Sequence, residues 1–440
     1  MTEPVFRRLG KLEKFQWLVD DTCCVNNVVH VRISGQVSEF SVRAALECLY
    51  NSFLLLQTGV VRDGWSEARF VRSSAHTLPF RTAAIEDKLV FQVIETELQT
   101  PLPIETGPMA RCILLRHSPD RSTLMMTYNH IVGDAMTGIF LLKRLLSLIE
   151  KTEIGIEDNQ PPRILELPAD EYFAKDMTSV RFVMETLRII GRHLVSQCRW
   201  GKPVVPSVDD ISYLKDRKAI VAMRELPRLT IDRLSDQARK ENTTVHGALA
   251  AAFLKAIFEE HDPSKTHYVM LLSPVNLRVF LDNKMKEIMG NYASLTNAAF
   301  AGCLDNSFWD LARNIKTSLQ KSIDRGEPFL ALRNPFFKVN LFGAGDTGKR
   351  IYTERFNASF PNMVGLSNLG NVKIKNLYDT FSVDSFSGAA TPSAFNNISS
   401  IAASLSNTMT WNFMGVFPLY SREHLNKLAD RSVTLLLNAI

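Results

Sequence analysis

Residues 123–150 read TLMMTYNHIVGDAMTGIFLLKRLLSLIE. In the first eight, every second residue up to His130 falls on one face of a strand, and three of these four side chains are large and apolar or aromatic. Gly133 and Asp134 are typical of a turn, and residues 136–150 then carry leucines at helical spacing. The stretch predicts a strand, a turn and a core-facing helix. His130 ends the strand, where an imidazole can project into a cleft from a fixed backbone.

The rest of the chain also mixes strands and helices. Strands are predicted at residues 27–34, 111–116 and 268–275, helices at residues 40–56, 245–258 and 422–438, and a hairpin around Ser406 and Asn407. Because both halves contain both kinds of element, we predict an α/β or α+β fold.

The length of 440 residues predicts two packed domains, since one hydrophobic core rarely serves so long a chain. Residues 161–216 contain several prolines and mixed charges, which indicates a connector. We therefore expect a first lobe at residues 1–160, the connector at 161–216 and a second lobe at 217–440.

One segment of the connector is organised. Residues 182–199 place apolar side chains on one face of a helix and arginines on the other. Such a helix could dock on a membrane surface or on a carrier protein. We favour the more usual arrangement, in which the apolar face packs on the protein and the basic face meets solvent.

Composition narrows the class of function. A net charge of +5, spread along the chain, does not favour nucleic acid but is compatible with anionic partners, such as the phosphates of coenzyme A or an acidic carrier protein. None of the six cysteines forms a CxxC pair, which indicates reduced thiols and a cytoplasmic protein. We expect no signal peptide, no transmembrane segment, no metal and no glycine-rich phosphate loop.

Among the nine histidines, only His130 has an aspartate four residues later, and such a pair alone is weak evidence. Three further segments accompany it: residues 272–278 (LSPVNLR), residues 290–292 (GNY) and residues 367–370 (SNLG). In content and order these four segments resemble the chloramphenicol acetyltransferase-like superfamily, nearest to its alcohol acetyltransferase and polyketide-associated acyltransferase branch. Its hallmark is His-His-x-x-x-Asp-Gly; here Asn129 replaces the first histidine and Ala135 the closing glycine.

The resemblance covers nearly the whole chain and implies two acetyltransferase-like lobes that form a V-shaped pseudo-dimer with a substrate tunnel between them. It implies that His130 is the general base and that Asp134 is a structural support paired with Arg278. Arg278 could instead be an ordinary surface arginine at a strand end. The candidate substrate-binding residues are Asn129, Gly133, Ser367 and Asn368.

Some assignments stay open at this stage. Asn368 could be a strand-end structural residue rather than a contact to substrate. Donors for the charge of a tetrahedral intermediate could be backbone N–H groups of residues 131–135 or a side chain near residues 367–368.

The function implied is an acyltransferase that moves an acyl group from acyl-CoA or an acyl-carrier-protein thioester to a hydroxyl, forming an ester. The acceptor would be a small apolar alcohol, no cofactor is expected beyond the thioester donor, and the chain is expected to be a monomer. An amide-forming condensation enzyme that acts on an amine is the alternative, because the same base serves both reactions. A non-catalytic docking protein of the same fold is a third possibility.

Overall fold

The first sheet is assembled around the strand that leads to His130. The protein is represented by a computed structural model, which describes residues 7–156, 165–173, 179–210, 214–282, 287–302, 307–333, 343, 345–359, 362–392 and 398–440. The sheet has the order β11-β1-β6-β5-β4. Its strands are β1 (Asn26–Gly35), β4 (Phe80–Ala84), β5 (Ala110–Ser118), β6 (Arg121–Asn129) and β11 (Phe381–Ala390).

Helices cover both faces of this sheet, and β6 accordingly carries buried side chains on both of its faces. Leu124 and Met126 belong to the core that includes α2 (Glu39–Ser52) and α4 (Ala135–Glu153), whereas Met125 belongs to the core under α3 (Val90–Gln99). Successive side chains of a strand point to opposite faces, so a nearly continuous apolar run is needed when both faces are buried.

The second sheet contains six strands in the order β7-β13-β12-β10-β8-β9. They are β7 (Lys218–Pro227), β8 (His267–Asn276), β9 (Ala293–Gly302), β10 (Met363–Asn371), β12 (Ile398–Leu405) and β13 (Thr408–Phe417). Its main core contains the almost entirely apolar helix α8 (Val245–Phe258), together with residues of α9 (Phe308–Asp324) and α11 (Arg422–Ala439).

The remaining elements lie around these two layers. They are α1 (Lys11–Cys23), the hairpin β2 (Thr58–Asp63) with β3 (Glu67–Arg72), α5 (Ala169–Tyr172), α6 (Ser179–Trp200), α7 (Arg228–Lys240) and α10 (Asp346–Ser359). The predicted mixed α/β class of two lobes is confirmed. The predicted strands and helices are present, except that the helix expected over residues 40–56 ends at Ser52 and a short 3-10 helix (Leu54–Gln57) follows.

One strand does not follow the predicted division of the chain. β11 lies beyond residue 217, yet it pairs antiparallel with β1 in the first sheet, with Val29 opposite Gly388. Asn412 of the second sheet donates hydrogen bonds to the Ser387 hydroxyl and the Gly388 carbonyl oxygen, both at 2.7 Å. The second half of the chain therefore completes the first sheet, and the boundaries at 160 and 217 stay a prediction.

The connector helix is present as α6, but its orientation differs from the favoured prediction. Val183, Leu187 and Leu194 are 52%, 62% and 53% exposed, so the apolar face is turned to solvent. The reason is that the polar side of the helix has partners in the protein: Arg192 lies 3.0 Å from the buried carboxylate of Glu327.

The close approach of α4 to the sheet depends on Gly138. A Cβ atom there would lie 2.8 Å from Val29 and would also meet the hydroxyl of Tyr128. We expect Gly138→Ala to lower the free energy of unfolding by about 1–3 kcal/mol, because the overpacked helix must move away from the sheet. Urea titration followed by circular dichroism measures this change.

Gly191→Ala is the matched control, since nothing lies within 4 Å of a Cβ at that position of α6. It should raise stability by about 0.5–1 kcal/mol, the usual preference for alanine within a helix. Equal effects of the two substitutions would contradict the close contact described for Gly138.

Candidate active site

His130 lies directly after β6 and lines a cavity between the two sheets. Its backbone N–H donates to the Val25 carbonyl oxygen at 2.8 Å, and its own carbonyl oxygen accepts from the Asn291 side chain at 3.1 Å. The residue is partly exposed, and its Nδ1 atom is buried without a hydrogen-bond partner among the described residues. The main chain of His130 is thus held from both sides while its ring remains available to a ligand.

The turn around His130 is built by Asn129. Its Oδ1 accepts from the Ile131 N–H at 3.0 Å and its Nδ2 donates to Asp20 at 2.6 Å. Burial raises the pKa of Asp20, and the bond from Asn129 acts against that rise. Asn129 is 1% exposed and does not line the cavity, and its contact with substrate stays a prediction. Its polar groups are already used to shape the turn.

Asp134 caps α4 and connects the turn to the second lobe. Its Oδ1 accepts from the Thr137 N–H at 3.0 Å, which is the usual role of an aspartate at a helix N-terminus. Its Oδ2 accepts from Arg278 at 2.6 Å and from the Tyr292 N–H at 2.9 Å. Both oxygens of the carboxylate are therefore engaged with protein donors from the two lobes.

Arg278 is the largest charged side chain in the interior, at 1% exposure. Besides Asp134, its guanidinium donates to the carbonyl oxygens of Ile288 at 3.0 Å and Gly290 at 2.7 Å, and to the Thr137 hydroxyl at 3.1 Å. The structure thus brings Asp134 and Arg278 together in the interior, away from the surface position considered as the alternative.

Gly290 makes this network possible. Its carbonyl oxygen accepts from Arg278, from the Thr137 hydroxyl at 2.8 Å and from the Asp134 N–H at 3.4 Å. Its φ of 143° and the approach of the Tyr292 ring, 2.8 Å from a Cβ atom placed there, both require glycine.

Burial and neighbouring charge set the ionisation of the site. Burial lowers the pKa of His130, with the Asp134 charge and the residue's own carbonyl acting in the opposite direction. Burial alone would raise the pKa of Asp134, but Arg278 and the N–H donors outweigh it and lower that pKa. Near neutral pH, the imidazole is therefore neutral and the carboxylate is charged.

The cavity has a volume of about 200 Å³ and receives residues from both sheets and from α1. Ser367 of β10 lies in its wall, and its contact with substrate stays a prediction. Asn368 does not line it, because its Oδ1 accepts from the Gly370 N–H at 2.9 Å at the end of the strand. Gly133 also lies outside the wall; its carbonyl oxygen accepts from Asn27 at 3.4 Å.

Three polar residues in the wall were not found from the sequence. The Oδ1 atoms of Asn26 and Asn291 and the hydroxyl of Ser400 are buried and have no partner among the described residues. Buried polar atoms normally have partners, so these three are candidates for contacts to a bound molecule. No short sequence motif surrounds Asn26 or Ser400; Asn291 lies in the GNY segment already noted.

The described residues contain neither a metal cluster nor a membrane-spanning helix. No group of three or more histidine, cysteine, aspartate or glutamate side chains could hold a metal ion in that part of the chain. Within the same residues, no helix has both the length and the apolar content needed to cross a membrane.

Comparison with known proteins gives one matching family and relatives of low sequence identity. Residues 222–420 match the family described as phthiocerol/phthiodiolone dimycocerosyl transferase C-terminus. The chain is 22% identical over 334 residues, 70% of its length, to phosphinothricin tripeptide synthetase PhsC of Streptomyces viridochromogenes. That alignment spans 30% of the synthetase, so the chain corresponds to a minor part of this relative.

Solved structures share the fold over the whole chain. Polyketide synthase associated protein 5 of Mycobacterium tuberculosis has 13% identity and a TM-score of 0.71, with 99% of this chain and 98% of that chain covered. The trichothecene 15-O-acetyltransferase TRI3 of Fusarium sporotrichioides has 11% identity and a TM-score of 0.73, with 98% and 95% covered.

The buried ion pair predicts a large effect of removing its cation. Arg278→Met leaves the Asp134 carboxylate buried and uncompensated, so we expect the free energy of unfolding to fall by about 3–5 kcal/mol. Thermal and urea unfolding measure the change. Because the Asp134 pKa is lowered, the contribution is present above the carboxyl's unfolded pKa and is lost as pH falls through the folded pKa.

Lys143→Gln supplies the control, because Lys143 of α4 forms an exposed ion pair at 2.7 Å with Glu287. That substitution should cost less than about 1 kcal/mol. A loss for Arg278→Met as small as that of the control would show that Arg278 and Asp134 are not coupled as described.

Proposed function

We propose that this chain is a member of the chloramphenicol acetyltransferase-like superfamily of acyltransferases and condensation domains, and that it transfers an acyl group from a thioester to a hydroxyl acceptor. The observation that supports this most directly is the placement of His130. A neutral imidazole with no hydrogen bond to another described side chain lines a cavity between the lobes, on a turn held by Asp134 and Arg278.

The chemistry needs one base and no covalent acyl-enzyme. His130 accepts the proton of the acceptor hydroxyl as its oxygen attacks the thioester carbonyl carbon. The resulting tetrahedral intermediate collapses, the C–S bond breaks, and the proton on His130 passes to the departing sulfur. The products are an ester and a free thiol, and the imidazole returns to its neutral form.

Asp134 and Arg278 act as positioning residues in this scheme. Their side chains are 3% and 1% exposed. Asp134 reaches the cavity wall, but both its carboxylate oxygens already accept from protein donors, so we assign it no contact with substrate. They hold the first turn of α4 against the second lobe, which fixes the loop that carries His130. Catalytic groups need placement within roughly half an ångström, and a buried network of this kind supplies it.

Charge on the intermediate's oxygen requires hydrogen-bond donors in the cavity. We propose the Ser400 hydroxyl, which is buried, without a partner among the described residues and in the cavity wall, as one such donor. Ser367 lies on the neighbouring strand β10, which runs parallel to β12. Ser367 pairs with Ile401 and Ser400 with Leu366, so the two serine side chains leave opposite faces of the second sheet, and we propose Ser400 alone as the donor.

The comparisons support an acyl transfer but differ on the acceptor. The matched family is named for a dimycocerosyl transferase and TRI3 for a 15-O-acetyltransferase, which favours oxygen as the acceptor atom. The synthetase relative is named for a tripeptide, which favours the alternative of amide formation on an amine. Asn129 in place of the first motif histidine favours the ester, and we retain the amide as the second candidate. The donor in either case is acyl-CoA or a carrier-protein thioester.

Removal of the base should abolish transfer. With a panel of acyl-CoAs, carrier-bound acyl groups, alcohols and amines, His130→Ala should lower acceptor-dependent thiol release by about 10²–10⁴-fold. Free thiol is followed with a chromogenic disulfide, and mass spectrometry identifies an ester or an amide.

His76→Ala is the control, since His76 is exposed and far along the chain from the motif. It should leave the rate unchanged. Release that persists in His130→Ala would overturn the proposed base, and a failure of all donors with all acceptors would favour the docking-protein alternative.

The fall of activity at acidic pH should follow the protonation of His130. The base works only when neutral, and burial lowers its pKa from the ordinary 6.5. Activity (kcat/KM) should therefore persist below pH 6.5 and fall with a midpoint under that value. Circular dichroism at each pH separates this loss from unfolding; a midpoint above 6.5 in folded protein would contradict the assigned environment.

A further inference from the structure

The outer face of α6 is a continuous apolar surface. Seven of its side chains are between 49% and 71% exposed: Val180, Val183, Met184, Leu187, Ile190, Leu194 and Val195. They recur every three or four residues, so they form a single stripe along one side of the helix. Over 22 residues the helix is about 33 Å long. Contiguous exposed apolar surface on this scale marks an interaction site.

The contacts of the opposite face hold this orientation. Glu185 and Ser196 are buried, and Arg192 lies 3.0 Å from Glu327. At the two ends, Phe182 packs on a buried cluster that includes Tyr292, and the Trp200 ring lies 5.8 Å from that of Tyr268. The helix is thus anchored by its polar side and its end aromatics, and the apolar stripe faces away from the protein.

Basic side chains border the stripe. The helix carries four arginines and one acidic residue, Glu185, which is buried. Arg188 pairs with Glu185, and the guanidinium of Arg199 lies 5.2 Å from the Trp200 ring centroid. Arg181 reaches the carbonyl oxygens of Asp324 and Arg325. Arg192 is used to pair with Glu327, so Arg181, Arg188 and Arg199 are the cations left beside the stripe, and α6 exposes no acidic side chain there.

We propose that α6 docks this protein on an anionic lipid bilayer surface. An apolar stripe bordered by arginines is the pattern of a helix that lies in the plane of a membrane interface, with its apolar face in the acyl region and its cations at the headgroups. A second copy of the same face would bring two rows of arginines together, so charge favours an anionic surface over self-association.

The position of α6 gives this docking a consequence for the cavity. The cluster under Phe182 includes Leu12, and the cluster under Trp200 includes Leu272; both leucines also line the cavity of His130. The helix therefore covers the outside of a wall whose inside faces the cavity. Docking through α6 would hold the cavity close to the bilayer, where apolar acyl chains and alcohols concentrate. The docking itself does not depend on the proposed acyl transfer.

Vesicle co-sedimentation of the full chain tests the proposal. Vesicles of phosphatidylcholine mixed with phosphatidylglycerol should sediment the protein, and added salt or phosphatidylcholine alone should weaken the binding. The double variant Leu187→Gln/Leu194→Gln should reduce the partition coefficient about tenfold or more, because two leucines no longer enter the apolar region.

The matched control is Leu229→Gln/Leu377→Gln, which removes two leucines that are 71% and 68% exposed elsewhere on the surface. It should bind vesicles as the unmodified chain does. All four positions are exposed, so both variants should fold, and thermal unfolding verifies this. Equal loss in the two variants would overturn a specific role of α6.

Cys198 provides a direct readout of which face meets the lipid. It is exposed and lies four residues after Leu194, on the same side of α6. An environment-sensitive maleimide dye should shift to the blue on addition of anionic vesicles, with the labelled Cys198→Ser variant subtracted as background. No dye shift despite sedimentation would overturn the proposal, as would self-association that requires Leu187 in a protein that binds no vesicles.

Discussion

The buried pair of Asp134 and Arg278 joins the turn that carries His130 to the second lobe. A buried ion pair contributes little unless its remaining hydrogen-bonding groups are also satisfied. Here the carboxylate receives two backbone N–H donors, from Thr137 and Tyr292, in addition to the guanidinium. Because these donors come from both lobes, the position of His130 depends on the correct packing of one lobe against the other.

The placement of β11 strengthens the dependence of the site on lobe packing, because this strand comes from the second half of the chain but belongs to the first sheet. Its backbone completes the first sheet beside β1, and the side chain of Asn412 in β13 is bonded to its Ser387 and Gly388. Two layers that share a strand in this way are not independent folding units, and a cavity between them has walls of defined spacing. The site can therefore be largely preformed, which reduces the ordering that a substrate must impose.

Local periodicity predicted the elements whose environment is simple. The apolar alternation of β6, the leucine spacing of α4 and the apolar helix α8 were all evident, because their cores require those patterns. Helix α1 was missed: Glu13 and Lys14 are buried through pairs with Arg7 and Glu67, and such pairing depends on distant segments.

The site shows the same division between local and distant information. The family resemblance implied the pairing of Asp134 with Arg278, because both residues lie in recognisable segments. Asn129 was assigned to substrate, but its amide is engaged by Asp20 of α1, a helix that the sequence pattern did not reveal. Ser400 carried no motif, and its significance comes from being left without a partner in the cavity wall. A residue's chemical role is thus predictable only when its partners are.

Helix α6 illustrates a limit of amphipathic patterns. Periodicity shows that a helix has two faces, but it does not show which one turns inward. In most helices the apolar face does, because burying it stabilises the fold. In α6, Arg192 packs against the buried carboxylate of Glu327 at 3.0 Å, closer than the second cation, Arg325, at 3.9 Å. Removing the nearer cation from this buried carboxylate would lower the free energy of unfolding by about 3–5 kcal/mol. Electrostatic pairing therefore decides the rotation of the helix, and the apolar stripe is left for a partner outside the chain.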